Sequence, residues 1–165
     1  LYPEIKAPAF HREHGVVLGT LVVDALASHG YSRAADRVFL QCFDGAELKR
    51  LRATTGTELE LVRLVEGGDG EAAAHAHEAG ARTVGCAVDD LVSLGEDGRP
   101  SATLLARALA EAGLAVHAYT LRRDAPGPFA GRFETLLEFL YGEVGVAGVF
   151  TDHPDVALRV RAGGA

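Results

Sequence analysis

Apolar and polar residues alternate at the start of the chain, LYPEIK. In an extended backbone successive side chains point to opposite faces, so Tyr2, Glu4 and Lys6 share one face and Pro3, Ile5 and Ala7 the other. Pro8 ends this strand, since its ring offers no N–H to a ladder and restricts the residue before it. From residue 16 the period lengthens. Val17, Leu21 and Ala25, with Leu18, Val22 and Leu26, predict a helix over 16–29 that stops at Gly30. An apolar run at 38–43 predicts a second strand, and Asp44 then opens a helix over 45–55 with Gly56 as its terminator. Glu47 and Lys49 to Arg52 are expected on that helix's exposed face.

The same reading continues to the end of the chain. A third strand is expected at 59–65, a Gly-rich break at 67–70, a short Ala-rich helix at 71–78 and a fourth strand at 83–87. Turn residues at 95–100 lead to Ser101, the expected cap of a helix running to about 112 and stopped by Gly113. A fifth strand at 114–121, a Pro/Gly loop at 122–131, a helix at 133–143 and a sixth strand at 147–151 follow. Pro154 starts the last helix, with Asp152 and Asp155 suited to its positive end. Six strands alternating with six helices fit repeated βα units and a parallel sheet. Two architectures accommodate them: an open doubly wound sheet, or part of a (β/α)8 barrel, which usually takes about 250 residues. No G-x-x-x-x-G-K-[ST] or G-x-G-x-x-G follows any strand, which removes the main reason to prefer a nucleotide-binding sheet.

Composition narrows the function classes. At 165 residues the chain is expected to be one domain with a real core. Sixteen Lys and Arg against 23 Asp and Glu give a net charge of -7, which argues against a nucleic-acid footprint. No apolar run reaches the length of a membrane span and no signal-peptide pattern opens the chain, so it reads as soluble. It contains no methionine, so the expectation is a chain trimmed or cut from something longer. Cys42 and Cys86 lie in apolar runs, where a buried free thiol is the common state.

In parallel α/β proteins chemistry gathers at the carboxyl ends of strands, so polar residues there are the candidates. The Glu4 carboxylate is a hard oxygen ligand and the Lys6 ammonium a point charge for phosphoryl oxygens, although two such residues on a strand also make an ordinary solvated pair. Gln41 and Phe43 share a face with Phe39, and Tyr119 shares one with His117 and Leu121. Each also has a structural account: Gln41 satisfying a backbone group, Tyr119 as a core ring with its hydroxyl at the rim, Asp152 serving the next helix. His75 and His77 point to nearly opposite sides of a helix, and His11 and His14 read as surface residues. No CxxC or G-x-S-x-G is present, so zinc-ribbon and serine-hydrolase readings fail.

Four of these stretches, in order, resemble the glycerophosphodiester phosphodiesterase family, most closely its periplasmic, secreted-type branch. Tyr2-Pro3-Glu4-Ile5-Lys6-Ala7-Pro8 looks like that branch's Glu-x-Lys strand. Phe39-Leu40-Gln41-Cys42-Phe43-Asp44, followed by Ala46-Glu47-Leu48-Lys49-Arg50, looks like its Gln-Ser/Cys-Phe strand and helix. Val116-His117-Ala118-Tyr119-Thr120-Leu121-Arg122 and Gly148-Val149-Phe150-Thr151-Asp152-His153-Pro154-Asp155 complete the match. The resemblance implies a (β/α)8 TIM barrel that hydrolyses glycerophosphodiesters to glycerol 3-phosphate and an alcohol, helped by a divalent cation, Ca2+ or Mg2+.

On that mapping Glu4 is a metal ligand, Lys6 is catalytic and faces the phosphate, and Gln41, Phe43 and Tyr119 bind substrate. The implied partner is a small-molecule glycerophosphodiester, and the implied location is periplasmic or secreted, with a cytoplasmic one as the alternative. The family's His-Arg-Gly, Glu-x-Asp and His-Asp segments, which carry its acid/base histidines and further metal ligands, have no counterpart here. The expectation is therefore a barrel lacking its first two βα units, with six present, that binds metal weakly and turns over little by itself. The family's Asp-Gly-Ile-Gly-Pro strand is replaced by Arg82-Thr83-Val84-Gly85-Cys86-Ala87. The alternative function is a non-catalytic α/β module that binds a phosphorylated ligand or partner.

Overall fold

The computed structural model describes residues 1–67, 71–125, 129 and 133–163. Contacts divide the chain into two compact units, Leu1–Leu64 with Ala74–Val84, and Val65–Ala73 with Gly85–Ala165.

In the first unit the opening segment runs parallel to β1 (Phe39–Cys42). Phe39 N–H donates to Leu1 O (3.0 Å), Gln41 N–H to Pro3 O (3.0 Å) and Ile5 N–H to Gln41 O (2.9 Å). Only Glu4 and Gln41 form a bridge, so the expected strand is reduced to a single rung. Pro3 has no N–H to donate, and beyond Lys6 the backbone turns away: Ala7 adopts a left-handed conformation (φ 43°) and Pro8 occupies the first turn of α1 (Pro8–Glu13). After α2 (Leu18–Ser28) and β1 comes α3 (Gly45–Thr55). Its ends fall where the sequence placed them: the Asp44 carboxylate accepts from Glu47 N–H, and Gly56 closes the helix at φ 63°.

β2 (Glu60–Val65) pairs parallel with β1, from Phe39 opposite Glu60 to Cys42 opposite Arg63, and its other neighbour is β3 (Thr83–Ala87), which continues into the second unit. α4 (Ala72–Glu78) lies between these strands in sequence. Alternation sends Ile5, Leu40, Cys42 and Leu61 into one core with Leu48 and Leu51 of α3 and Val23 of α2. Glu47, expected on the exposed face, is 1% exposed. Its carboxylate accepts from Arg12 Nη1 (2.5 Å) and from Arg50 Nη2 and Nε (2.7 and 2.9 Å), which supply the partners that a buried charge needs.

In the second unit, α5 (Val88–Leu91) leads into an antiparallel hairpin of β4 (Val92–Leu94) and β5 (Pro100–Ala102) that the pattern did not predict. Ser101 belongs to this hairpin, its hydroxyl 2.9 Å from that of Ser93. The cap of α6 (Leu104–Glu111) is instead Thr103, which accepts from Ala106 N–H and donates to Asp90 O. β6 (Ala115–Leu121) neighbours β3 and pairs parallel with β7 (Gly148–Thr151). His117 is buried where they meet, and a Cβ on Gly148 would lie 3.0 Å from its ring, so glycine fits there. α7 (Phe133–Phe139) continues as a π-helical turn, Leu140–Val144, and α8 (Pro154–Gly163) follows β7. The expected break at 67–70 and loop at 122–131 lie partly outside the described residues. Five strands in parallel-type order plus one bridged segment stand where six βα strands were expected.

Candidate functional site

Glu4 and Gln41 are bridge partners, so their side chains project to the same side of neighbouring segments. That side also carries Tyr2, stacked on Phe39 with ring centroids 5.1 Å apart, and Glu60, which accepts from Thr83 Oγ1 at 2.9 Å. Burial, with the Glu60 charge adding to it, pushes the Tyr2 hydroxyl well above its ordinary range. Glu4 and Lys6 form an ion pair, Oε2 to Nζ 3.7 Å, in which Lys6 is largely exposed and Glu4 partly covered. Both line an open cavity of about 550 Å3, together with Phe43, Phe10 and Asp44. Of the candidates drawn from the sequence, Glu4, Lys6 and Phe43 line this one cavity. Sequence reasoning missed Phe10, which follows the Ala7 turn, and read Asp44 only as a helix cap, although its position directly after Phe43 at the end of β1 was the available signal.

Gln41 is buried, and its main chain pairs with Pro3 and Ile5, whereas the structural role anticipated for its side chain, satisfying a backbone group, is not seen. Its side-chain amide makes no hydrogen bond among the described residues. Cys42 lies beneath, donating to Ile5 O (3.1 Å) and accepting from Asp44 N–H (3.3 Å). Burial pushes its thiol up to about 11, so at neutral pH it is a packed thiol and not a nucleophile.

Tyr119 belongs to the second unit. Its hydroxyl donates to Val65 O at 2.8 Å, and its ring lines a cavity of about 240 Å3 at the carboxyl ends of β3 and β6. Asp89, Arg122, Phe129 and Phe133 share that cavity, and Arg122 is engaged by Asp124 at 2.7 and 3.2 Å. Asp89 went unnoticed because nothing in its local pattern separates it from the first turn of a short helix.

Glu4 is the sole carboxylate expected as a metal ligand. Calcium takes roughly six to eight oxygens. Among the described residues no group of three or more His, Cys, Asp or Glu converges on one point, so these residues do not by themselves fit a resident cation. No helix among them is long and apolar enough to cross a membrane.

Comparison with known proteins gives this geometry a setting. The sequence profile of the glycerophosphoryl diester phosphodiesterase family matches residues 1–156. The glycerophosphodiester phosphodiesterase of Haemophilus influenzae is 31% identical over 192 residues, covering 99% of this chain and 52% of that protein. Its counterpart in Treponema pallidum is 24% identical over 195 residues, covering 96% and 52%. The chain thus spans about half the length of the curated relatives it matches. Among solved structures, a phosphodiesterase of Oleispira antarctica in complex with its product sn-glycerol-3-phosphate aligns with a TM-score of 0.63 at 15% identity, over 86% of this chain and 48% of that one. A glycerophosphodiester phosphodiesterase of Thermotoga maritima aligns with 0.57 at 13% identity, over 98% and 56%. These structures share the fold, and the profile match over nearly all of the sequence shows that the chain belongs to the glycerophosphoryl diester phosphodiesterase family.

Proposed function

We propose that this protein acts in the metal-dependent hydrolysis of glycerophosphodiesters to glycerol 3-phosphate and an alcohol. The observation that carries the reading is the Glu4–Lys6 pair, 3.7 Å apart on the wall of an open cavity and inside the stretch matched by the family profile. The glycerol 3-phosphate held by the Oleispira antarctica protein supports a small phosphoester as ligand. In the reaction the oxygen of water bonds to phosphorus, the bond from phosphorus to the alcohol oxygen breaks, and a proton from the water ends on the departing alcohol.

Within that chemistry the Lys6 ammonium lies against the non-bridging oxygens and offsets the charge that builds on them. The free amide of Gln41 donates to the substrate and Phe43 packs on its carbon skeleton. A substrate-binding role for Tyr119, on the wall of the cavity within the second unit, belongs to the same proposal. Glu4 is proposed as one ligand of a Ca2+ or Mg2+ ion. The six-unit barrel and a periplasmic or secreted location belong to the same proposal, and the Glu-x-Lys and Gln-Cys-Phe stretches support the branch.

Lys6→Ala in the whole protein is expected to lower kcat/KM for glycerophosphocholine by about 100-fold, the scale of one lost charge contact to a developing oxyanion. Unchanged turnover would remove Lys6 from the site. A protein that binds glycerol 3-phosphate yet cleaves no glycerophosphodiester would instead be the non-catalytic module.

A further inference from the structure

The bend at Ala7 brings a second phenylalanine to the cavity of Glu4 and Lys6. Phe10, on α1, lines it together with Phe43, which follows β1. Among the described residues three aromatic side chains are exposed, Phe10 (56%), Phe43 (42%) and Tyr31 (38%), and two of them line this one cavity. Scattered apolar side chains on a surface need no explanation, but two rings on the wall of one cavity are not scattered. Nor does core packing account for Phe10, because Pro8 is the buried residue of α1.

The Phe10 ring is nevertheless fixed in place. His14 lies against it with centroids 4.4 Å apart and planes tilted by 38°, its Nδ1 2.8 Å from Phe10 O, and His11 meets the ring edge-on at 5.5 Å. Two positions on, Arg12 reaches the buried Glu47 carboxylate at 2.5 Å, which fastens α1 to the helix that follows Phe43 and Asp44. The charges of the cavity point the same way as its rings. Glu4 is paired with Lys6, and the Asp44 carboxylate, next to Phe43, adds a second negative charge to the wall. Aromatic faces carry partial negative charge and attract cations. A quaternary ammonium has no N–H to donate, so rings and a nearby carboxylate are what can hold it, whereas a neutral polyol would need hydrogen-bonding side chains.

We propose that Phe10 is a specificity-determining residue of this cavity: its ring and that of Phe43 form the wall that receives a quaternary ammonium group on the alcohol side of the diester. Lys6 attends to the phosphoryl oxygens, and the two rings select the alcohol that leaves. The inference rests on the hydrolase reading for the diester and adds to it the class of headgroup.

The test compares, in the whole protein, glycerophosphocholine with its neutral isostere, in which carbon replaces the quaternary nitrogen. Two readouts are followed: kcat/KM, and the NMR shifts of the Phe10 and Phe43 ring protons on titration. The choline diester is expected to be preferred and to give saturable ring shifts. Phe10→Ala, at an exposed position, should reduce that preference about five-fold, the scale of one exposed cation–π contact, and chiefly through KM. Phe10→Tyr, which keeps the ring face, should retain it. Saturable ring shifts without hydrolysis of either diester would sink the hydrolase reading and leave the aromatic wall standing. Hydrolysis of both diesters with equal kcat/KM, or a preference that Phe10→Ala leaves unchanged, would overturn the role of Phe10 and leave the hydrolase reading intact. A protein that neither shifts nor cleaves would overturn both.

Discussion

The Glu47 carboxylate shows how far a local pattern can mislead at a single position. Its neighbours Lys49, Arg50 and Arg52 made 47 read as part of a solvated face, yet its first partner, Arg12, lies 35 residues earlier and no periodicity could announce it. Gly19 completes the arrangement: a Cβ there would run into Glu47 Oε1 and approach Leu51 Cδ2 to 3.0 Å. In a free helix, alanine is favoured over glycine by about 1 kcal/mol. Overpacking costs about 1–3 kcal/mol, and Glu47 cannot swing aside without releasing Arg12 and Arg50, so the steric effect wins. Gly19→Ala is therefore expected to destabilise the protein by about 1 kcal/mol net, read from its urea midpoint. A raised midpoint would show that the carboxylate is free to move. Glu4 and Lys6, by contrast, were legible as neighbours because alternation along an extended backbone sets their common side.

Among the elements, α3 was readable at both ends because an Asp cap and a left-handed Gly are local devices. α6 was not. Ser101 and Thr103 are both acceptable caps by residue type, and the choice between them was made by a pairing between Ser93 and Ser101 that only the folded chain contains. Thr103→Ala should cost about 1–2 kcal/mol, since it removes both the cap to Ala106 and the hydroxyl bond to Asp90 O. Ser101→Ala, on an exposed hairpin, should stay within about 0.5 kcal/mol. Thermal unfolding of the two variants separates these outcomes, and equal losses would contradict the assignment of Thr103 as the cap. The opening strand was half legible: its faces were right, but its length was cut by a proline within it and a turn after it.

At the scale of the whole molecule, order carried more information than any single motif. Four short stretches in sequence were enough to indicate the family that the profile match then established. The two-unit division was not legible, because it arises from contact density and leaves no mark on composition. The units share one property, a buried thiol. Burial raises Cys42 from an ordinary 9.0 to about 11 and Cys86 to about 12. Below pH 9 both states keep these protons and the contribution to stability is complete. Above it the unfolded chain ionises first, so stability falls until the folded values are passed. Replacing both cysteines with alanine should flatten the decline in Tm between about pH 9 and 11, whatever it does to Tm itself, and an unaltered slope would assign the decline to other groups.

The bend after Lys6 carries a consequence of its own. Ala7 holds a backbone shape that glycine adopts freely and alanine adopts only under constraint, at roughly 1–2 kcal/mol, and the following proline narrows its choices further. A glycine in its place would relieve the strain and loosen the chain on both sides. The lysine one residue earlier would then sweep a wider arc, so a gain in thermal resistance at this corner would come with a less sharply aimed ammonium.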